Sequence, residues 1–132
     1  MSLIKRFYLY QEERFPLKIL LFTTSAVVLS SAAVLSYEAS LLQMLAALVA
    51  CLCFLFHVRV IDESRDYQHD TAYHAERPVQ RGLISLNELF ALDAFALLVF
   101  ALVCSLYGIV PVVYGLALLL FRYAAWKECF MK

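Results

Sequence analysis

Long apolar runs dominate this chain of 132 residues and limit what it can fold into. Hydrophobic residues make up 64% of the sequence and the mean hydropathy is +0.77, well above the composition of soluble domains. Four runs approach the roughly twenty residues that a helix needs to cross a bilayer. They are Leu17–Tyr37, Leu41–Ile61, Leu86–Tyr107 and Ile109–Trp126. The sequence therefore predicts an all-α membrane protein, with a single transmembrane domain over residues 1–132 and four transmembrane helices.

The connections between these runs predict how the helices pair. Only a few residues separate the first run from the second, and Gly108 separates the third from the fourth. Such short connections are typical of helical hairpins, so we expect two of them. Residues 1–16 mix charged and aromatic side chains and end at Pro16, which predicts a short N-terminal helix at the membrane interface. For its first few residues a frayed terminus is the alternative.

The placement of basic residues predicts the orientation in the membrane. Lysine and arginine are absent from the two short connections and occur in the N-terminal segment, the loop of residues 57–85 and the C-terminal tail. Positive charge favours the cytoplasmic side. We therefore expect an integral membrane protein, of the cell inner membrane if it is bacterial, with both termini and the central loop in the cytoplasm. The formal net charge is zero and no basic face is present, which argues against a nucleic-acid partner.

An acidic segment follows the second apolar run directly. Asp62, Asp66 and Asp70 recur every four residues, and at about 100° per residue they share one helical face with Arg59 and Glu63. Like charges at this spacing repel one another, so a cation is expected to neutralise them. Mg²⁺ prefers oxygen ligands and often binds substrate phosphates. The spacing favours a Mg²⁺–diphosphate site at the membrane surface, although a charged run between two spans is commonly only a solvated loop.

The loop after this segment carries a second pattern. It contains Arg77-Pro78 and then Gly82-Leu83-Ile84-Ser85. The combination resembles the UbiA superfamily of intramembrane prenyltransferases, whose first aspartate-rich motif is Asn-Asp-x-x-Asp-x-x-x-Asp at the cytoplasmic end of the second helix. The matching positions here are Asp62, Glu63, Asp66 and Asp70. Asp62 stands in place of the asparagine and Glu63 in place of the first aspartate, so every position keeps an oxygen ligand.

The resemblance implies a function and a set of site residues. The reaction is Mg²⁺-dependent transfer of an isoprenyl group from an isoprenyl diphosphate to an aromatic or other lipophilic acceptor. The resemblance implies Asp62, Asp66 and Asp70 as catalytic residues, and these three with Glu63 as metal ligands. Arg59 on the same face, and Arg77 and Arg81 in the loop, are expected to contact the diphosphate oxygens, since guanidinium groups bind phosphate with two hydrogen bonds.

One departure from the family pattern limits this expectation. Members have nine helices and a second aspartate-rich motif that faces the first, whereas this sequence has no aspartate after Asp93. The chain therefore resembles the N-terminal half of such an enzyme. We expect it to need membrane lipid and either a complementary C-terminal-half chain or a homodimer. The alternative is a non-catalytic remnant or interaction subunit that retains a Mg²⁺- and diphosphate-binding loop.

The positions of three further polar residues in the sequence predict their roles. Asp93 lies about two turns into the third run, where an ionisable side chain is a functional candidate. We expect it to pair with Arg122 at the same end of the fourth run. His69 and His74 flank Asp70, and their spacing favours solvated side chains over a zinc-binding pair.

Overall fold

The computed structural model describes residues 1–34 and 38–130, and at positions 121, 122 and 125–130 it describes the backbone alone. All regular elements within these residues are α-helices, which confirms the all-α prediction. In chain order they are α1 (Leu3–Arg14), α2 (Leu17–Val34), α3 (Leu41–Arg65), α4 (Tyr67–Tyr73), α5 (Leu86–Ser105) and α6 (Ile109–Phe130).

Serine side chains fix where the two long helices α3 and α5 begin. The Ser40 hydroxyl accepts a hydrogen bond from the Gln43 amide, and the Gln43 side chain accepts one from the Ser40 amide. Ser85 and Glu88 form the same reciprocal pair at the start of α5. These capping boxes satisfy amide groups that have no partner within the helix. The α3 helix, which carries the acidic segment, therefore begins at a defined residue. The same is true of α5, which follows the loop.

Pro16 separates α1 from α2, as the sequence predicted. The α1 helix ends at Arg14, and α2 begins at Leu17, whose amide donates to the buried side chain of Gln11 at 3.2 Å. Proline disfavours helical geometry at the residue before it, so the chain turns here. The short N-terminal helix is present, and its position at a membrane interface stays a prediction.

Three of the described helices, α2, α3 and α5, are long and apolar enough to cross a bilayer. The fourth predicted span is not among them. The α6 helix forms, but its described apolar segment, Ile109–Leu120, is shorter than a bilayer requires. Part of that predicted span, including the side chain of Trp126, lies outside the described residues. The protein is thus compatible with a membrane location through three helices rather than four.

The α3 helix is central, because it packs against both α2 and α5. The α6 helix packs against α5, and at Gly115 the two helices approach closely. A Cβ atom added there would lie only 2.8 Å from Cε1 of Phe100. Consecutive helices therefore contact one another as hairpins require. The two-hairpin arrangement within a membrane, and the cytoplasmic location of the termini, remain predictions.

The buried apolar core lies at one end of the molecule. Phe56 near the end of α3 contacts the rings of Phe7 and Phe15 edge-on, at centroid distances of 5.6 and 5.5 Å. Around it pack Tyr10, Val60, Val79, Ile84 and Leu89. Large side chains on α2, α5 and α6 are instead exposed, as expected for helix faces in contact with lipid. The packed end is the end that carries the acidic segment, which gives its side chains a rigid base.

Candidate functional site

The acidic segment is not one continuous helix. The α3 helix ends at Arg65, Asp66 has φ −86° and ψ 0°, and α4 begins at Tyr67. The helical bonding pattern nevertheless continues across the break, since the Asp66 amide donates to the Asp62 carbonyl and the Asp70 amide to the Asp66 carbonyl. The four-residue spacing is therefore kept, although the predicted uninterrupted helical face is not.

The four acidic residues separate into an outer and an inner pair. Asp62 and Asp66 have side chains that are 32% and 43% exposed, whereas Glu63 and Asp70 are each only 1% exposed. Helical geometry explains the division, because at roughly 100° per residue Asp62 and Asp66 lie at one edge of the acidic face and Glu63 and Asp70 at the other. The inner edge turns towards α1 and the loop, and the outer edge stays open.

Two arginines neutralise Glu63 within the structure. Its Oε2 lies 2.8 Å from Arg59 one turn earlier on α3 and 3.3 Å from Nε of Arg14 on α1. Its other oxygen, Oε1, is buried and has no hydrogen-bond partner among the described residues. A carboxylate in this position can be kept charged only by such partners, since burial of an unpaired charge is very unfavourable. Glu63 therefore ties α1 to α3.

Asp70 is held by arginine in the same way. Its Oδ2 accepts a hydrogen bond from Arg77, and Arg14 lies 4.0 Å from the same oxygen. Burial alone would raise the pKa of Asp70, but the hydrogen bonds from Arg77 and His69 and the nearby positive charges outweigh it and lower the pKa below its ordinary value of 3.8. Asp70 is thus a buried, ionised carboxylate at neutral pH.

The lowered pKa of Asp70 predicts a pH-dependent stability. Because its folded pKa lies below its unfolded pKa, the ionised group stabilises the fold above pH 3.8, and this stabilisation is lost as the pH falls through the folded pKa. We expect Asp70→Asn to lower the free energy of unfolding by about 3 kcal/mol at pH 7, because it leaves Arg77 without a charged partner. Unfolding in detergent micelles should show this difference shrinking below pH 3.8. A constant difference between pH 7 and pH 3 would contradict the assignment.

The outer pair shares an exposed arginine, Arg65. Nε of Arg65 donates to Asp66 at 2.9 Å, and its Nη1 lies 3.6 Å from Asp62. The hydrogen bond from Arg65 is the largest cause that lowers the pKa of Asp66. The exposed fraction of the side chain is 46% for Arg65, 43% for Asp66 and 32% for Asp62. Ion pairs of this kind are weak because water competes for both partners, so the outer carboxylates can exchange Arg65 for another cation.

The three arginines expected to contact diphosphate each have a carboxylate partner within the chain. Arg59 pairs with Glu63 and Arg77 with Asp70. Arg81 pairs with Glu13 of α1 at 2.5 Å and also donates to the carbonyl of Glu76. Arg59 and Arg77 lie beside the inner carboxylates, and Arg81 joins the loop to α1. To bind diphosphate, each would have to give up or share these contacts.

Two residues of this site were missed in the sequence, and both belong to α1. Arg14 lies between Glu63 and Asp70, and Tyr10 is fully buried beside them. Burial and the Glu63 carboxylate raise the pKa of Tyr10 to about 12, against the opposing effect of Arg59 and Arg14. In the sequence, the only indication of a role for Arg14 was its position directly before Phe15-Pro16. That position does not show which side of the bundle α1 covers.

The Arg-Pro and Gly-x-Ile-Ser elements have clear structural roles. Pro78 and Ile84 are fully buried, and the Leu83 amide donates to the Pro78 carbonyl at 2.8 Å. Gly82 has φ +76°, a conformation that side-chain-bearing residues rarely adopt. Ser85 then caps α5. The pattern therefore builds a compact loop that fixes Arg77 against Asp70.

The described partner of Asp93 is His57, and the expected pair with Arg122 stays a prediction. Its Oδ2 lies 2.8 Å from Nδ1 of His57 on α3, and its Oδ1 is buried with no hydrogen-bond partner among the described residues. The side chain of Arg122, the expected partner, lies outside the described residues. The pair of His57 and Asp93 links α3 to α5, two helices that are long and apolar enough to cross a bilayer.

The outer pair fits the chemistry of Mg²⁺. This ion is commonly held by one or two carboxylates and completes its shell with water and substrate phosphates. Asp62 and Asp66 offer partly exposed carboxylates one turn apart. Oε2 of Glu63 and Oδ2 of Asp70 are committed to arginines, and these two atoms would have to release them to join the outer pair in binding Mg²⁺. We therefore expect Asp62 and Asp66 to be the principal ligands, with the inner pair positioning them.

Comparisons with known proteins do not assign the chain to a family. No protein-family model matches the chain, no curated protein matches it, and no solved structure matches it. The resemblance to the prenyltransferases therefore depends on the motifs in residues 59–85.

Proposed function

We propose that this chain forms one half of a Mg²⁺-dependent, UbiA-like site for an isoprenyl diphosphate at the membrane surface. The observation that carries this proposal is the outer pair, Asp62 and Asp66, partly exposed at the end of a helix long enough to cross a bilayer. Beneath it, the inner carboxylates are already neutralised by arginine. The site thus presents two partly exposed carboxylates whose ion pairs with Arg65 can be exchanged for a metal ion.

The proposed reaction is transfer of the isoprenyl group to an aromatic or other lipophilic acceptor. The bond between the isoprenyl carbon and the diphosphate oxygen breaks, the electron pair leaves with diphosphate, and the acceptor supplies the electrons of the new bond. Bound Mg²⁺ would supply positive charge that stabilises the leaving diphosphate. Asp62 and Asp66 hold that charge in place, and Glu63 fixes the last turns of α3 through Arg59 and Arg14. Arg65, next to both outer carboxylates, is the arginine best exposed to meet phosphate oxygens.

A non-catalytic role is the second candidate, and one observation favours it. Two of the four carboxylates of the acidic segment, Glu63 and Asp70, are paired with arginines, so this inner layer stabilises the fold without any metal. A remnant or interaction subunit would retain this inner layer for stability. It would also retain the Mg²⁺- and diphosphate-binding loop, but it would not transfer the isoprenyl group. The two candidates therefore differ in whether the bound diphosphate reacts.

Binding of an isoprenyl diphosphate tests the site that both candidates share. We expect binding to purified protein in lipid nanodiscs to require Mg²⁺ and to weaken at least about 10-fold in Asp66→Ala, because this variant removes half of the outer pair. Titration calorimetry with and without Mg²⁺ measures both effects. The control is Glu76→Gln, which removes one negative charge from the same loop at a highly exposed side chain.

Each result has a defined meaning. Mg²⁺-dependent binding that Asp66→Ala weakens and Glu76→Gln retains supports the proposed site. Binding that does not need Mg²⁺, or that is unchanged in Asp66→Ala, contradicts it. Absence of binding by a folded protein contradicts the shared site, and transfer of the isoprenyl group, rather than its binding, distinguishes the two candidates.

A further inference from the structure

His69, Asp70 and His74 lie together beside the break in the acidic segment. Each of these side chains offers one ligand atom, and the three atoms lie within 4.8 Å of one another. The α4 helix explains the arrangement, since the His74 amide donates to the Asp70 carbonyl at 2.8 Å and so places His74 one turn after Asp70. The rings of His69 and His74 are 5.8 Å apart. In the part of the chain that the structure describes, no other set of three such residues meets this distance.

The two oxygens of Asp70 face different groups. Its Oδ2 is bound by Arg77 and lies near Arg14, whereas its Oδ1 faces Nδ1 of His69 at 3.5 Å. In metal sites a carboxylate commonly binds the ion through one oxygen while a neighbouring donor fixes the other. The arginines give Asp70 this orientation. Oδ1, which the arginines do not contact, lies beside His69.

His74 has a further feature of a metal ligand. Its Nδ1 lies 3.4 Å from the carboxylate of Glu76. A histidine that binds metal usually donates its second ring N–H to a carboxylate or carbonyl, which fixes the orientation of the ring. The pairing with Glu76 leaves Nε2 of His74 for the metal. Glu76 itself is highly exposed and needs no other role in the fold.

We propose that His69, Asp70 and His74 bind a divalent transition-metal ion, with Zn²⁺ as the best match. Two imidazole nitrogens and one carboxylate oxygen suit Zn²⁺ rather than Mg²⁺, which prefers oxygen ligands alone. Zinc–ligand bonds of about 2.1 Å place ligand atoms roughly 3 to 4 Å apart, so separations of up to 4.8 Å must shorten by roughly 1 to 2 Å at most. His69 is 65% exposed and His74 38% exposed, so both side chains have room for this adjustment.

This metal site is separate from the one proposed for Mg²⁺–diphosphate. It uses the histidines and the inner carboxylate, while the Mg²⁺ site uses the outer pair. With three protein ligands, Zn²⁺ keeps at least one coordination position for water or another small ligand. The site would also fix the C-terminal end of α4, because His69 and Asp70 lie within that helix and His74 caps it.

Titration of the full chain with Zn²⁺ alone tests the inference. The protein is purified without a polyhistidine tag, reconstituted in nanodiscs and titrated by calorimetry, with Co²⁺ absorption as a second readout of the ligand geometry. We expect one ion per chain and at least about a 10-fold loss of affinity in His69→Ala, in His74→Ala and in Asp70→Asn. The matched control is Asp66→Asn, which removes a neighbouring carboxylate outside the site and should retain Zn²⁺ affinity.

The design also separates this site from the proposed function. His69→Ala should lose Zn²⁺ affinity and retain Mg²⁺-dependent diphosphate binding, and Asp66→Asn should do the reverse. The inference is overturned if the wild-type chain binds no Zn²⁺. It is equally overturned if the double variant His69→Ala/His74→Ala binds Zn²⁺ as tightly as the wild type, or if Asp66→Asn loses affinity as the histidine variants do.

Discussion

Replacement of Glu63 by glutamine is expected to lower the free energy of unfolding by about 3 kcal/mol. Glutamine keeps the shape of the side chain but removes the charge that two guanidinium groups share, and those groups are themselves mostly buried. Loss of one partner from a buried ion pair is much more costly than its presence is favourable, because the remaining charge stays out of water. The α1 helix should be affected first, since Arg14 is its contact to Glu63.

Unfolding by denaturant in detergent micelles measures this effect, and hydrogen exchange on α1 amides locates it. The matched control is Asp66→Asn, which neutralises an acidic residue three positions later. Its partner Arg65 is about half exposed, and a surface pair contributes only about 0 to 1 kcal/mol. Asp66→Asn should therefore leave stability nearly unchanged while it weakens Mg²⁺-dependent binding.

A double-mutant cycle identifies the contact responsible. If Glu63 acts through Arg14, the combined variant Glu63→Gln/Arg14→Gln should be more stable than the sum of the two single losses predicts. Equal destabilisation by Glu63→Gln and Asp66→Asn would contradict the division into an inner and an outer pair. Exact additivity in the cycle would contradict the contact between α1 and α3.

The helices were largely predictable because their signals are local. Apolar runs, the serine caps and Pro16 lie within the segments that they define, and the observed α2 and α5 begin at the predicted residues. The end of α3 differs from the prediction, which placed the acidic residues through Asp70 on one helical face, whereas α3 ends at Arg65 and α4 begins at Tyr67. Hydropathy marks where the membrane should end, but it does not indicate the change in backbone geometry at Asp66.

The inner side of the site was not predictable, because its contacts join distant parts of the sequence. Arg14 and Glu63 are 49 residues apart, and His57 and Asp93 are 36 apart. Helical periodicity placed Asp62, Glu63, Asp66 and Asp70 on one face, but it carries no information about which edge of that face another helix covers. The pair of Asp93 with His57 was not anticipated, because the prediction for Asp93 used only its depth in the membrane. Many side chains on neighbouring helices lie at the same depth.

The loop motif was recognised for the family that it resembles rather than for its physical role. Arg77-Pro78 and Gly82-Leu83-Ile84-Ser85 were expected at a diphosphate site. The structure shows that several of these residues are needed by the loop itself, for a positive φ, for burial and for the cap of α5. The loop pattern therefore indicates both a loop structure and a candidate site. The contact between Arg77 and Asp70 connects the loop to the acidic residues.

The 132-residue chain alone is expected to transfer isoprenyl groups at least about 1,000-fold more slowly than the same chain completed by complementary helices. Loss of a single donor that stabilises transition-state charge already reduces rates by about 100- to 1,000-fold. Here the sequence has no aspartate after Asp93, so only one of the two acidic clusters implied by the resemblance is present. The outer pair would hold metal on one side of the diphosphate and leave the other side to water.

The shape of the described residues supports the same expectation. A cavity of about 270 Å³ lies between α3, α5 and α6, and on α3 it is lined by His57, Ile61 and Ser64. These residues lie roughly 100° to 180° around the helix from Asp62 and Asp66, so the cavity does not open beneath the outer pair. An isoprenyl chain bound at the outer pair would lie against an uncovered helix face. Water that reaches the reacting carbon there would compete with the acceptor.

The measurement is prenyl transfer by the purified chain with Mg²⁺, with and without co-expressed C-terminal helices from a related enzyme. Completion should restore transfer, and Asp66→Ala in the completed protein should abolish it, because both clusters must then hold the leaving group. Robust transfer by the chain alone would contradict the half-site argument. In that case, mixing Asp66→Ala with wild-type chains distinguishes two sources of activity. Loss of more than half of the activity in an equal mixture would indicate that two copies build one site, since most sites would then contain an altered chain.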